Sequence, residues 1–278
     1  MIKTNGFHLT RLCLLVFVMS VTAAYGQQMM ESDLSTTYVP VNNSWGHTMN
    51  APPGMVRVSP ATIIKNFIDA EIRFRKTLIQ FSFKRDVTLQ TIGPQGEVTG
   101  EYIRNSIFVL DDQGQRVEKV FYHPKVTLKE LGITKEDIQD LAGSQLFGLE
   151  LSDLNSYNLS YLGAETLNGR LMYVVAVSPN REPDPRHMRS RFFVGRFWID
   201  PGTFQPVYLE GVTEPHGKQR FPSFKTERQM QIDNLRFPSS TYADDVLRFP
   251  KKNIHYRIKA RYYDFKRFAG RVKIVELD

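Results

Sequence analysis

The chain has 278 residues, one cysteine, 41% hydrophobic and 12% aromatic side chains, and a formal net charge of +7. A single cysteine excludes a disulfide-stapled scaffold, and a chain of this length can bury a core without one. Beyond the N-terminus no run approaches the roughly 20 apolar residues of a membrane helix.

The N-terminus carries an export pattern. Lys3 and Arg11 supply positive charge, Leu12 to Val21 form a short apolar run, and Ala24-Tyr25-Gly26 offers a small-x-small cleavage site. The order predicts a signal peptide over 1–26, cleaved near Gly26, and a periplasmic mature chain. Cys13 lies inside the apolar run with Arg11 and Leu12 before it, which does not fit the acylated cysteine of a lipoprotein signal. Cleavage removes two bases and no acid, so the mature chain stays basic. In an exported protein that excess matches anionic lipid headgroups or other envelope polyanions, not nucleic acid. It matches plain solubilising surface charge equally.

Residues 27–57 read as an extended arm, because Pro40, Gly46, Pro52, Pro53 and Gly54 punctuate a polar stretch with no apolar period. Ser59-Pro60 then reads as an N-cap followed by proline at the first helical position. Ile63, Ile64, Phe67, Ile68 and Ile72 recur at helical spacing and predict a helix over about 59–75. From 78 the period drops to two. Ile79, Phe81, Phe83, Val87 and Leu89 share one face of a strand over 78–92. The turn Gly93-Pro94-Gln95-Gly96 leads to a strand over 99–111, and Asp112-Gln113-Gly114 to another over 116–122. A short helix is expected from Thr134 and irregular chain over 143–155. Further strands are expected at 157–166, 170–178 (after Asn168-Gly169), 192–199, 205–212, 224–233, 237–248 and 254–268.

About ten strands against one firm helix, joined by short turns, predict an antiparallel meander in a single domain over 58–278. A sheet this large must twist, close, or curl around a filler, and the apolar face of the helix is the obvious filler. The fold class is mainly β with helices (α+β).

The catalytic search is negative. No G-x-S-x-G, P-loop, H-E-x-x-H or G-x-G-x-x-G pattern occurs. His47, His123, His187, His216 and His255 have no second ligand-type residue at metal spacing, apart from Asp184 near His187 in a proline-rich loop. Asp111-Asp112 and Asp244-Asp245 are adjacent pairs, and neighbours on a strand point to opposite faces. Asp111-Asp112 reads as turn chemistry. These features give no enzyme, metal or cofactor candidate, although catalytic groups drawn from distant strands would leave no local pattern.

Two surfaces stand out. Over 254–263, Ile254, Tyr256, Ile258, Ala260 and Tyr262 alternate with His255, Arg257, Lys259, Arg261 and Tyr263, so one face is apolar and the other a basic ladder. Arg257, Lys259 and Arg261 are candidates for headgroup or membrane contact; the alternative is a solvated outer face whose charge discourages edge pairing. Arg181, Arg186, Arg189 and Arg191 form a second basic cluster. Phe81, Phe83, Phe193, Phe197, Tyr256 and Tyr262 fall on inferred inward faces. In a filled barrel they are core; in a half-open one they line a cavity for an apolar ligand.

The order of these elements resembles the LolA/LolB-like lipoprotein-carrier superfamily. The resemblance rests on the amphipathic helix followed by Phe81-x-Phe83, on 161–179 (YLGAETLNGRLMYVVAVSP), and on 195–211 (GRFWIDPGTFQPVYLEG) with its R-x-W-I-D-P-x-T-x-x-P hairpin. It covers most of 59–268. It implies an unclosed β half-barrel wrapped around an N-terminal helix, whose apolar face binds lipid or lipoprotein acyl chains in outer-membrane biogenesis without catalysis. An envelope protein partner or sensor role on the same fold is the alternative. The stretch 101–114 (EYIRNSIFVLDDQG) lacks the arginine-proline motif of LolA, so no cargo-release residue carries over.

Overall fold

The structure is a computed structural model that describes residues 58–111, 113–135, 138, 151–181, 192–214, 223–248 and 252–268. The signal segment, the arm, the cluster Arg186, Arg189 and Arg191, and most of the helix expected from Thr134 lie outside them.

Helix α1 runs Pro60–Leu78. Ser59 Oγ accepts from Thr62 N at 3.1 Å, and Pro60 takes the first position, where a missing N–H costs nothing. At the other end Arg116 Nη2 donates to the Leu78 carbonyl and, at 3.3 Å, to that of Phe81. A cation therefore sits at the negative end of the helix dipole. The buried stripe is Ile63, Ile64, Phe67, Ala70, Glu71, Phe74, Arg75 and Leu78. Ile68 and Ile72, expected on that stripe, are only half-buried at its margin.

Strands β1 (Phe81–Ile92), β2 (Val98–Leu110) and β3 (Arg116–Tyr122) form the first meander. A second comprises β4 (Tyr157–Leu167), β5 (Arg170–Pro179), β6 (Phe192–Ile199), β7 (Pro206–Glu214) and β8 (Phe224–Glu227). The hairpin β9 (Met230–Ile232) and β10 (Leu235–Phe237) is separate, and β11 (Ser240–Arg248) and β12 (Asn253–Arg267) complete the set. The large sheet has the order β3-β2-β1-β12-β11-β8-β7-β6-β5-β4, all antiparallel. The β11–β12 pair joins the two meanders, β12 beside β1 and β11 beside β8, and β3 and β4 each pair on one side only, so the sheet is unclosed.

The expected strand over 224–233 is in fact two strands and a turn. Asp233 and Asn234 take φ of 50° and 61°, the geometry of a two-residue hairpin loop, and pair Ile232 with Leu235. Ile79, expected on the inward face of β1, instead caps α1 and is exposed. Asn168-Gly169 forms its hairpin as expected, with φ of 50° and 77°.

One bulge shapes the inner face. The β1–β12 register slips between Ser82 and Lys84, opposite Asp264, whose φ is 55°. The extra residue moves the next inward position after Tyr262 from 264 to 265, so Phe265 stacks on Phe83 at 5.1 Å. Asp264 faces outward and pairs with Lys84 and Lys266 at 2.9 and 3.1 Å.

The core lies between this face and α1. A single cluster joins Ile63, Phe67 and Phe74 of the helix to buried apolar residues of β1, β2, β4–β8, β10, β11 and β12. A small second cluster, Met172, Val174 and Trp198, packs on the opposite face with Leu167, Val207 and Tyr208.

Candidate functional site

All six aromatic residues singled out in the sequence are buried in the main cluster, on the side of the sheet that meets α1. They form two groups. Phe193 and Phe197 meet at 5.3 Å, and Phe197 touches Phe67 of the helix at 5.1 Å. Phe193 lies over Gly195 and Gly211, which face each other across β6 and β7. A β-carbon on Gly195 would stand 2.7 Å from its ring, so glycine is what lets the ring lie flat there. In the other group Phe83 stacks on Phe108 at 4.7 Å and meets Tyr262 at 6.4 Å, and Phe81 packs on Phe237 at 5.1 Å. Tyr256 follows on β12, buried two rows below Ala260.

Within the same face lies a charged cluster that the apolar pattern passed over. Position 85 falls between Phe83 and Val87 on the inward row of β1, and it is arginine, 2% exposed. Its Nη2 donates to Glu118 Oε1 of β3 at 2.8 Å, and its guanidinium lies 4.7 Å from the centre of the Phe108 ring. Arg104 of β2 grips the same carboxylate with Nε and Nη2, at 2.9 and 3.1 Å. Two arginines thus share one carboxylate. Burial pushes the Arg85 guanidinium below its ordinary value. Burial alone would raise the Glu118 carboxyl, but the Arg104 hydrogen bonds and the Arg85 charge outweigh it and hold the group below its usual range.

Two hydroxyls adjoin this cluster. Tyr102 Oη and Ser106 Oγ are buried and make no hydrogen bond of normal geometry, although Ser106 lies beside Glu118 and Tyr102 beside Arg104. His123 packs its ring against Tyr102 at 5.0 Å. The signal that could have found the cluster is an arginine at an inward position of an otherwise apolar strand.

The basic ladder lies on the outer face of β12. Arg257 pairs with Asp244 at 2.9 Å and Arg261 with Asp86 at 2.9 Å, while the Lys259 side chain is exposed. Hydrogen bonds from Tyr242, His255 and Arg257 overcome partial burial and hold the Asp244 carboxyl at about 2. Asp244 and Asp245 do face opposite ways, since Asp245 sits across from inward Tyr256. Asp111 Oδ1 accepts from Gln113 N and Gln115 N at 2.9 and 2.8 Å, which is turn chemistry.

An outer groove of about 450 Å³ is lined by Arg170, Met172, Val207, Tyr208, Glu227 and Arg236, among others, and contains none of the six aromatics. No group of three or more His, Cys, Asp or Glu suited to a metal ion occurs among the described residues.

No protein-family model matches the chain, and no curated protein matches it. Among solved structures, the chain is similar to a LolA superfamily protein from Nitrosomonas europaea, at 16% identity and a TM-score of 0.36 over 78% of this chain and 97% of that one. It is similar to an outer membrane lipoprotein-sorting protein domain from Vibrio parahaemolyticus, at 10% identity and a TM-score of 0.36, covering 76% and 95%. A DUF1329 family protein from Desulfovibrio piger aligns at 12% identity and a TM-score of 0.34, covering 75% and 94%.

Proposed function

We propose that this is an exported, non-enzymatic binder or carrier in the bacterial envelope, whose inner face takes the acyl chain of a lipid or lipoprotein. The observation that carries the reading is an unclosed ten-stranded sheet whose aromatic inner face packs against one helix. A closed barrel fills its interior with its own side chains. A sheet with two free edges can part from α1 and open a long apolar channel. Each methylene buried contributes about 0.8 kcal/mol, so a chain of about sixteen carbons offers on the order of 10 kcal/mol against the helix contacts it replaces.

On this reading residues 58–278 form the binding domain behind a cleaved signal peptide. Phe81, Phe83, Phe193, Phe197, Tyr256 and Tyr262 line the chain's seat. Arg257, Lys259 and Arg261, on the opposite face, supply contact with an anionic membrane or headgroup.

A second reading, an envelope protein partner, draws on the β3 edge. Val120, Phe121, Tyr122 and nearby Val126 are exposed there, Phe121 by 56%. An apolar edge strand with unpaired backbone groups is a template for an added strand.

Native mass spectrometry of the protein purified from its own envelope separates the two. The carrier reading expects an adduct of lipid mass released on denaturation. A bare protein mass, together with no uptake of fatty acid from vesicles, would overturn it, and co-purification of one protein in stoichiometric amount would favour the second reading.

A further inference from the structure

We propose that the outer groove between the β4–β5 turn and the β9–β10 hairpin binds a short peptide with free termini, its carboxylate held by Arg170 and Arg236 and its terminal amine by Glu227. The groove lies on the face of the sheet opposite the six aromatics, so the inference goes beyond the acyl-chain reading and does not rest on it.

The two ends of the groove carry opposite charge. Arg170 Nη2 and Arg236 Nη2 both donate to Asp200 Oδ2, at 2.9 and 3.3 Å. Asp200 Oδ1 is taken by its own turn, accepting from Gly202 N and Thr203 N at 2.9 and 3.2 Å. One carboxylate thus faces two guanidiniums, and neither guanidinium makes another hydrogen bond among the described residues. Arg236 is also fixed at its backbone, where N donates to Gln205 Oε1 at 2.7 Å, so this cation is in place before a ligand arrives. Glu227, on the other wall, pairs with no cation among the described residues. Its Oε2 accepts from Gln229 Nε2 at 3.1 Å and from Ser240 Oγ at 3.5 Å, which leaves Oε1 open.

Length selects among ligands that carry both charges. Tyr208 pairs with Trp198 on one side and with Glu227 on the other. Glu227 therefore stands two strand spacings, about 10 Å, from β6, whose last residue Ile199 precedes Asp200. An amino acid or an ethanolamine headgroup holds its charges too close together to reach both ends. An extended peptide gains about 3.3–3.6 Å per residue, so about three residues bridge them. Between the ends, Met172, Val207 and Tyr208 supply apolar contact, and the side-chain amides of Asn168 and Gln229 offer a peptide backbone donors and acceptors. The volume of about 450 Å³ is that of a small-ligand site.

The test is calorimetric titration of the full mature protein near neutral pH with trialanine, its C-terminal amide and its N-acetyl form. The proposal expects saturable binding of trialanine, weakened about tenfold or more by either blocking group, the size of a hydrogen bond to a charged group. Arg170→Gln should cut the preference for acid over amide to within about threefold and leave the acetyl effect in place; Glu227→Gln should do the reverse. The Arg170 side chain is 63% exposed, so its replacement should leave the denaturation midpoint unchanged. Equal affinity for the three peptides, or no saturable binding up to millimolar concentration, would overturn the proposal. A lowered midpoint in Arg170→Gln with both preferences intact would show a structural role and overturn it as well. Tighter binding of glycerophosphoethanolamine than of trialanine would overturn the peptide assignment in favour of a lipid headgroup.

Discussion

Glu71 and Arg228 form a bidentate ion pair, at 2.5 and 3.0 Å, with both side chains 1% exposed. It ties the buried stripe of α1 to the residue that follows β8, and the Arg228 guanidinium lies 4.2 Å from the centre of the Phe74 ring. The pair fixes where the helix crosses the sheet. Removing one partner strands a charge; replacing both by apolar groups does not. Arg228→Met should therefore cost about 3–5 kcal/mol by chemical denaturation, and Glu71→Leu with Arg228→Met far less. Equal losses in the single and double variants would show that the geometry matters more than the charge.

Gly195 makes a second demand. A β-carbon there would lie 2.1 Å from the Glu210 carbonyl oxygen as well as against Phe193. Gly195→Ala should destabilise by roughly 1–3 kcal/mol, as overpacking does. It should also shift the Phe193 ring signals in an NMR spectrum. An unchanged denaturation midpoint would mean that the β6–β7 pair moves apart freely.

Acid should weaken the β1–β3 end through Glu118. Its carboxyl is held below its ordinary 4.5, so its contribution is fully present above that value and is lost as pH falls through the lower folded value. Stability measured against pH should drop across that acid window. Glu118→Gln should be less stable at neutral pH and show a shallower acid slope. The same slope in both proteins would place the acid sensitivity elsewhere.

The outer ladder predicts graded membrane attraction. Arg257 and Arg261 are neutralised by Asp244 and Asp86, whereas the Lys259 side chain is exposed. Near an anionic surface each basic residue contributes about 1 kcal/mol, so Lys259→Gln should reduce co-sedimentation with phosphatidylglycerol vesicles about fivefold. Arg257→Gln and Arg261→Gln should do less. No change in any of the three would remove the ladder from the functional account.

Much of this architecture is legible in the sequence because period and turn chemistry are local. Ser59-Pro60 announces α1, and Asn168-Gly169 announces the β4–β5 hairpin. What escapes is what depends on partners far along the chain. Asp233-Asn234 turns between two three-residue strands, and a run that short leaves no period to read. Glu71 and Arg85 look like interruptions of apolar stripes, and only the approach of Arg228 and Glu118 makes them buried ion pairs. The six aromatics were readable as inward-facing because alternation fixes the face. Whether a face is filled by a helix is set by tertiary packing, which alternation does not encode.

Photolabelling by a diazirine-bearing fatty acid, mapped by peptide mass spectrometry, tests the central claim most directly. The account predicts competable labels on inner-face residues of β1, β6 and β12, around Phe83, Phe197 and Tyr262, and on the buried stripe of α1. Labels confined to the outer groove near Tyr208 or to the β3 edge, or no competable labelling, would contradict it.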